Sequence, residues 1–452
     1  MKITVAGCGK IGTTVLSSLV AEGHDVVAID DDPSVIAEIT NIYDVMGVCG
    51  NCADSDTLDE ANVGKTDLFF ASTGSDELNM LGCFIAKKMG AKHTIAKISN
   101  PEYNDHSLGF MQKQLDLSLT VNPELLAAHE IFNVLKMPSA AKIETFSGRS
   151  LEMAELRLKP DSPLDGISLT ELRKKYRASF LISVVQRGED VYIPDGNFVL
   201  KSGDKIALTA TPTEIQRLLK MLGLMQKQAR NVMILGASKT AFYLSKLLLG
   251  SGNNVKIIEL DRNRCDEFCE KLPGVSMING DGAEQELLLE EGLPSMDAFV
   301  TLTGIDEINI LLACFASSQN VAKVVSKVNR EALSSMAEKL GLDCTVSPKK
   351  SLSDIIVRYA RALQNSEGSN VETLYKIMDD KAEALSFVIL PDCELIGKPL
   401  RNLKLKKNIL IAGISRQRKT IIPSGDDFIM AGDKVIVIAA GTRMQDISDV
   451  LG

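Results

Sequence analysis

Six residues, "GCGKIG" at 7 to 12, and the acid Asp30, 23 residues past the first glycine, have the types and spacing to hold a dinucleotide. Gly7 permits a tight turn, Gly9 lets backbone N–H groups approach a pyrophosphate, and Gly12 allows a helix to pack closely on a sheet. The N-terminus of that helix favours an anion. Asp30 suits both ribose hydroxyls and repels a 2′-phosphate, so NAD(H) is favoured over NADP(H), with adenine nucleotides also compatible. A purely structural turn with no ligand would present the same residues.

The chain carries this pattern twice. Sliding the sequence by 229 or 230 positions sets "KITVAGCGKIG" on "NVMILGASKTA", "VVAIDDD" on "KIIELDR" and "DLFFASTGSDELNM" on "DAFVTLTGIDEINI". Gly7 falls on Gly236, Asp30 on Glu259, Asn51 on Asp281, and Lys97 on Lys327. In the second copy Ser238 adds a side chain where phosphate should approach, and Ala241 replaces the third glycine. That site is weakened, with Ser238 able to donate its hydroxyl in compensation; a relic scaffold is the alternative. Thr73-Gly74 and Thr303-Gly304 follow the fourth strands, where loops border a ligand crevice. Ser75 or Asp76 would serve equally well as a helix cap. Lys97 and Lys327 end the fifth strands and can meet phosphate charge, and Asn51 can reach an adenine edge.

These residues need strands and helices to hold them. Short apolar β-branched runs such as "KITVAG", "DVVAID" and "DLFFAS" alternate with amphipathic helix-length segments, the pattern of a parallel α/β sheet. The following segments instead show short strands separated by the turn pairs Arg187-Gly188, Asp195-Gly196 and Gly203-Asp204, then the helical "PTEIQRLLKMLG". The reading is α/β: two tandem Rossmann-like modules, 1–136 and 229–368, each followed by a small α+β module, 137–228 and 369–452. "QNSEGSN" at 364 to 370 reads as a linker. The segment 122 to 136 is apolar on most faces of a helix, so it must be buried on several sides.

At 452 residues, 45% hydrophobic and 24% charged, the chain fits two to four globular domains. A formal charge of −9 disfavours a nucleic-acid partner. No run of 18 apolar residues occurs, and a cytosolic protein is expected, with its nine cysteines reduced. The one CxxC, Cys49 to Cys52, lacks supporting metal ligands. All four histidines lie in the first half without counterparts in the second, so solvated or capping roles are expected and no acid or base is poised for turnover.

With these motifs, joined by "AKISNPEY" at 96 to 103, "IPDGNFVLKSGD" and "IPSGDDFIMAGD", the chain resembles the TrkA-type regulatory subunits of potassium uptake, built from two RCK domains. The resemblance spans essentially the whole chain. It implies a non-enzymatic cytoplasmic protein that binds NAD(H) or ATP/ADP and forms a homo-oligomeric ring, a tetramer, under a potassium-translocating membrane subunit. It also implies that the 122 to 136 crossover packs against a second subunit; a helix buried within its own chain is the alternative. The nucleotide-contacting set is then Gly7, Gly9, Lys10, Ile11, Gly12, Asp30, Asn51, Cys52, Thr73, Gly74 and Lys97 in the first copy. In the second it is Gly236, Ser238, Lys239, Thr240, Glu259, Asp281, Thr303, Gly304 and Lys327. Rival readings are an NAD-dependent oxidoreductase and a structural assembly protein with vestigial sites.

Overall fold

The alternation of apolar runs and amphipathic segments produces a strand–helix series in each half of the chain. We describe a computed structural model; it covers all residues except 104, 147–150, 177–178, 366–370, 379, 418, 443 and 445. In the first half, β1 (Lys2–Ala6), α1 (Lys10–Ala21), β2 (Asp25–Asp30), α2 (Pro33–Ile42), β3 (Met46–Cys49), α3 (Ser55–Glu60) and β4 (Leu68–Ala71) come first. Then follow α4 (Asp76–Met89), β5 (His93–Lys97), α5 (Asp105–Gln114), β6 (Leu119–Val121) and α6 (Pro123–Lys136). The strands form one six-stranded sheet in the order β3-β2-β1-β4-β5-β6, with every pair parallel. Both faces are covered by helices, so the central strands are buried throughout, as in the fully buried β4.

Local chemistry sets the helix ends. Asp32 caps α2 with Pro33 at its first position, and Ser75 caps α4 through the Leu78 N–H at 3.2 Å. Helix α4 has Asp76 and Glu77 in its first turn, Lys87 and Lys88 in its last, and Gly90 left-handed at its C-terminus. The cap of α4 is therefore Ser75, and Asp76 takes a separate role given below.

A smaller layer follows: β7 (Lys142–Phe146), β8 (Leu151–Arg157), α7 (Leu169–Tyr176), β9 (Phe180–Arg187), β10 (Asp190–Tyr192), β11 (Lys205–Ala210) and α8 (Pro212–Met221). Its antiparallel sheet has the order β10-β9-β11-β8-β7. The second half repeats the plan. Its parallel sheet uses β12 (Asn231–Leu235), β13 (Asn254–Glu259), β14 (Val275–Asn279), β15 (Ala298–Thr301), β16 (Lys323–Lys327) and β17 (Thr345–Val346), ordered β14-β13-β12-β15-β16-β17. The accompanying helices are α9 (Lys239–Gly250), α10 (Arg262–Lys271), α11 (Gln285–Glu290), α12 (Asp306–Ser318), α13 (Glu331–Lys339) and α14 (Pro348–Asn365). The last sheet, β18-β19-β22-β20-β21, is built from β18 (Val371–Ile377), β19 (Ala382–Val388), β20 (Ile409–Arg416), β21 (Lys419–Ile421) and β22 (Lys434–Ala440). The fold is the expected α/β duplication.

Like modules pair with like. One compact unit joins residues 1–132 with 230–360, and the other joins 133–229 with 361–452. In the first unit α6 meets the second copy: Asn122 Nδ2 donates to the Tyr243 hydroxyl at 2.9 Å, and the Ser351 hydroxyl donates to Glu130 at 2.9 Å. Ala127, Ala128, Ile131 and Phe132 are buried. The chain's own second repeat thus contributes to the burial of this helix. In the second unit Phe146, Leu151, Met153 and Val184 share a core with Ile377, Ala384, Ile436 and Ile438. Of the "QNSEGSN" linker, residues 366–370 lie outside the described residues, and so does the boundary placed at 368.

The "LKSGD" and "MAGD" signatures are structural. Arg187 forms a two-pronged bond to buried Asp204, 2.8 Å on each arm, and Asp204 also accepts the Lys201 N–H at 2.8 Å. Arg416 and Asp433 repeat this at 2.9 and 2.8 Å, with Asp433 accepting the Met430 N–H. Each pair pins a tight turn to a strand end.

Candidate nucleotide site

The crevice forms where strand order reverses, between β1 and β4, the place at which open α/β sheets bind ligands. Gly7 has a φ of +83°, and a Cβ there would sit 2.5 Å from the Thr73 nitrogen, so only glycine fits between the two strand ends. Gly12 is equally constrained: its Cβ would lie 1.9 Å from the Gly7 carbonyl oxygen, which already accepts the Ser72 hydroxyl at 2.7 Å. Gly9 is different. Its Cβ would meet nothing within 4 Å, and no side chain caps the start of α1. The first N–H groups of α1, at Lys10, Ile11 and Gly12, therefore face the opening without a side-chain acceptor.

Asp30 spans the mouth of this turn. One carboxylate oxygen accepts the Cys8 N–H at 2.7 Å and the other accepts the Asp32 N–H at 3.0 Å. Each oxygen keeps a lone pair for a further donor. Thr73 is held by Asn79, whose Oδ1 accepts from both the Thr73 N–H and hydroxyl at 2.7 Å, while Asn79 Nδ2 donates to the Lys97 carbonyl at 3.0 Å. Asp76 is buried and accepts the Ser99 and Asn100 N–H groups at 2.9 and 2.7 Å. These two side chains tie the ends of β4 and β5 together. Our sequence reading named neither as a site residue; the signal was present in "DELN" and "DEIN", which recur at the same offset. Gly74 is exposed beside Thr73.

Lys97, far from being merely solvated, is half-buried and its Nζ donates to the Thr73 carbonyl at 2.8 Å. Burial pulls its amine below the usual lysine range, Glu124 and Asp76 oppose this, and Lys239 of the second copy adds to it. Lys239 and Glu124 thus lie within electrostatic reach of the first site. Asn51 is exposed, and its Oδ1 accepts the Ala53 N–H at 2.9 Å, which leaves its amide nitrogen for a ligand. Cys52 is buried. Its side chain belongs to the core with Ala6, Ile29 and Val48, so it can offer a ligand only its backbone. Its thiol is pushed up to about 11, mainly by burial, and burial followed by Asp30 pushes the Cys8 thiol up to about 12. Neither is a nucleophile near neutral pH. Among the described residues no cluster of metal-ligating side chains occurs. His24, expected at a solvated or capping position, is buried.

The second crevice keeps the frame and changes the phosphate end. Gly236 has a φ of +94°, and its Cβ would approach the Leu302–Thr303 backbone no closer than 3.2 Å. This looser turn leaves room for Ala241, fully buried where the first copy needs Gly12. Ser238 is the N-cap of α9: its hydroxyl oxygen accepts the Ala241 N–H at 3.3 Å. Lys239 is exposed and Thr240 is buried. Glu259 reproduces Asp30, accepting the Ala237 and Asp261 N–H groups at 2.6 and 2.9 Å. Asp281 accepts the Ala283 N–H at 2.9 Å, as Asn51 does from Ala53. Thr303, beside exposed Gly304, is held by Asn309 at 2.7 Å. Lys327 Nζ donates to the Leu302 carbonyl at 3.3 Å, and burial lowers its amine against the opposing pull of Asp306 and Glu124.

Fold and crevice define a duplicated doubly wound protein with a phosphate-type turn and a ribose-type acid in each copy. The chain belongs to the TrkA family: the TrkA-N domain matches residues 3–111 and 232–348, and the TrkA-C domain matches 153–223 and 384–452. The Trk system potassium uptake protein TrkA homolog of Archaeoglobus fulgidus is 30% identical over 450 residues, 100% of each chain. Among solved structures, the GsuK channel bound to NAD superposes with a TM-score of 0.63 at 17% identity, covering 97% of this chain and 77% of its own. GsuK bound to ADP gives 0.52 at 12%, covering 81% and 69%. These similarities establish the fold.

Proposed function

We propose that the chain is a nucleotide-binding regulatory subunit of a potassium uptake system. It is cytoplasmic and peripheral on the inner face of the membrane, and it assembles as a homo-oligomer, a tetrameric ring. On this reading it gates a potassium-translocating membrane subunit in response to NAD(H) or ATP/ADP. Modules 1–136 and 229–368 carry the nucleotide contacts, each followed by a small α+β module, 137–228 and 369–452. The observation that supports this most is the uncapped start of α1 at the switch point, flanked by Asp30 and Lys97. A pyrophosphate would take the N–H groups beside Gly9 and a ribose would take the free lone pairs of Asp30. The name of the Archaeoglobus fulgidus relative supplies the potassium system, and no helix among the described residues is long and apolar enough to cross a membrane itself.

On this reading the lysines, threonines and amides of the crevice bind a nucleotide without turning it over. A ligand shifts a conformational equilibrium only by its differential affinity for the two states. The test measures the affinity of the membrane subunit in nanodiscs with NAD⁺, NADH, ADP and ATP. We expect changes of roughly 5- to 150-fold between nucleotides, with the reciprocal effect on nucleotide affinity. Partner affinity and ion flux that ignore every nucleotide would overturn the proposal.

A further inference from the structure

The basic residues of this acidic chain are unevenly spread. Between Gly397 and Asn408 stand Lys398, Arg401, Lys404, Lys406 and Lys407 with no acid among them, although the whole chain carries a formal charge of −9. All five are exposed. Arg401 is paired with Asp426, whereas among the described residues the four lysines make no ion pair. The leucines between them turn the other way: Leu400, Leu403 and Leu405 pack against the core of the last sheet, with Ile411 and Val437. Leu405 bridges Leu451, the Lys406 N–H donates to the Val450 carbonyl at 2.9 Å, and the Gly452 N–H donates to the Lys404 carbonyl at 2.9 Å. The backbone is thereby fixed in an extended form, and the strand period of two sends Lys404 and Lys406 outward together.

In the first repeat the segment before β9 is also basic, at Arg173, Lys174 and Lys175, but these residues end α7, where cations complement the helix dipole. The second repeat has only a single 3-10 turn there, Leu400–Asn402, so helix electrostatics do not account for the lysines at 404, 406 and 407. Apolar side chains accompany them. Phe428 bridges Pro399, the neighbour of Lys398. Phe428 and Met430 are each 43% exposed, while Ile429 between them is fully buried. Lysine places a single point of charge on an apolar stem and so suits a diffuse anionic surface with hydrocarbon beneath it. Nucleic acid is better met by the arginine fork, and the one arginine of this segment is spent on Asp426.

We propose that the 398–407 segment, with Phe428 and Met430, is a membrane-contact surface that takes anionic phospholipid headgroups. The lysine ammonium groups meet lipid phosphates, while their methylene stems and the two apolar side chains enter the interfacial layer. This surface uses no residue of either nucleotide crevice. It needs neither a nucleotide nor a potassium-translocating subunit, and so goes beyond the function proposed above.

The test is flotation of the full-length chain, without nucleotide, on vesicles of phosphatidylcholine alone and of equal parts phosphatidylcholine and phosphatidylglycerol. Binding should occur on the anionic vesicles only and fall as salt is raised. Each lysine near such a surface contributes about fivefold, so Lys404→Ala with Lys406→Ala should weaken binding by about 30-fold. Lys404→Glu with Lys406→Glu should weaken it further, and Lys404→Arg with Lys406→Arg should keep it. Lys174→Ala with Lys175→Ala removes the same charge from the first repeat and should change binding by less than about twofold. Melting temperatures should match the parent, because the bonds at 404 and 406 are made by the backbone. Equal binding to both vesicles, an equal loss in the Lys174 and Lys175 variant, or lysine-dependent capture of duplex DNA in place of vesicles would each overturn the proposal. Titration of the same samples with NADH keeps the two readings apart. A chain that binds NADH but no vesicle overturns this proposal alone, and one that binds anionic vesicles but no nucleotide overturns the nucleotide reading alone.

Discussion

The hydroxyl oxygen of Ser238 accepts the Ala241 N–H at 3.3 Å, so the second copy satisfies with its own side chain a donor that the first copy leaves open. Helix N-termini bind anions through these groups, and a serine cap competes for them directly. The two crevices share a frame and differ in how much of the helix start is available.

Ser238→Gly should therefore tighten the second site. Replacing a serine cap by glycine costs only a few tenths of a kcal/mol, about 0.3, so the fold should tolerate it. Titration in a Gly9→Trp background isolates the second crevice. Unchanged or weaker binding would show that the serine hydroxyl helps the ligand instead of competing with it.

Gly9 and Gly12 separate ligand space from packing space. Gly9→Trp projects into open volume and should abolish nucleotide binding at the first site with little change in melting temperature. Gly12→Ala drives a methyl against the Gly7 carbonyl and should cost about 1–3 kcal/mol of stability. Denaturant unfolding together with titration reads both, and a Gly9→Trp protein that still binds at full affinity would move the phosphate elsewhere.

Asp30→Asn should act on both recognition and the turn. The amide keeps one acceptor for the Cys8 or Asp32 N–H and loses the negative charge, a change of about 1.5 kcal/mol in stability. The preference for NADH over NADPH should narrow, because the charge that repels a 2′-phosphate is gone. Equal affinities for the two dinucleotides in the parent protein would defeat the argument.

Lys97 predicts a pH dependence with a definite sign. Burial holds its amine below the normal lysine value, so the folded apo protein binds fewer protons there than the unfolded chain. The resulting stability cost is full below the depressed folded value and is relieved as pH rises from it toward the unfolded value of about 10.5. Nucleotide affinity should run the opposite way, falling over that window as the amine loses its charge, and Lys97→Arg should flatten the fall. Titrations between neutral and alkaline pH measure it; a parent profile that is flat through the window would remove Lys97 from the phosphate contact.

Much of this protein was legible in its sequence because the information is local. The alternation of "KITVAG" and "DVVAID" with amphipathic segments sets strand and helix, and Gly7, Gly12 and Asp30 announce a turn whose backbone demands them. The duplication is visible by sliding the chain on itself. What the tertiary structure decided depends on which surfaces meet. Sequence spacing placed a serine at position 238 but not its hydroxyl on the Ala241 N–H, and it placed Cys52 beside Asn51 but not its thiol in the core. It showed α6 as apolar on most faces; only packing showed that the second repeat meets it at Glu130. Asn79 and Asp76 act across strand ends that lie 18 and 23 residues away in the chain. Lys349 reaches the cleft beside Gly9 through a helix more than 300 residues distant. A local pattern constrains backbone angles and the apolar face, whereas the partner of each face follows from close packing summed over the whole chain.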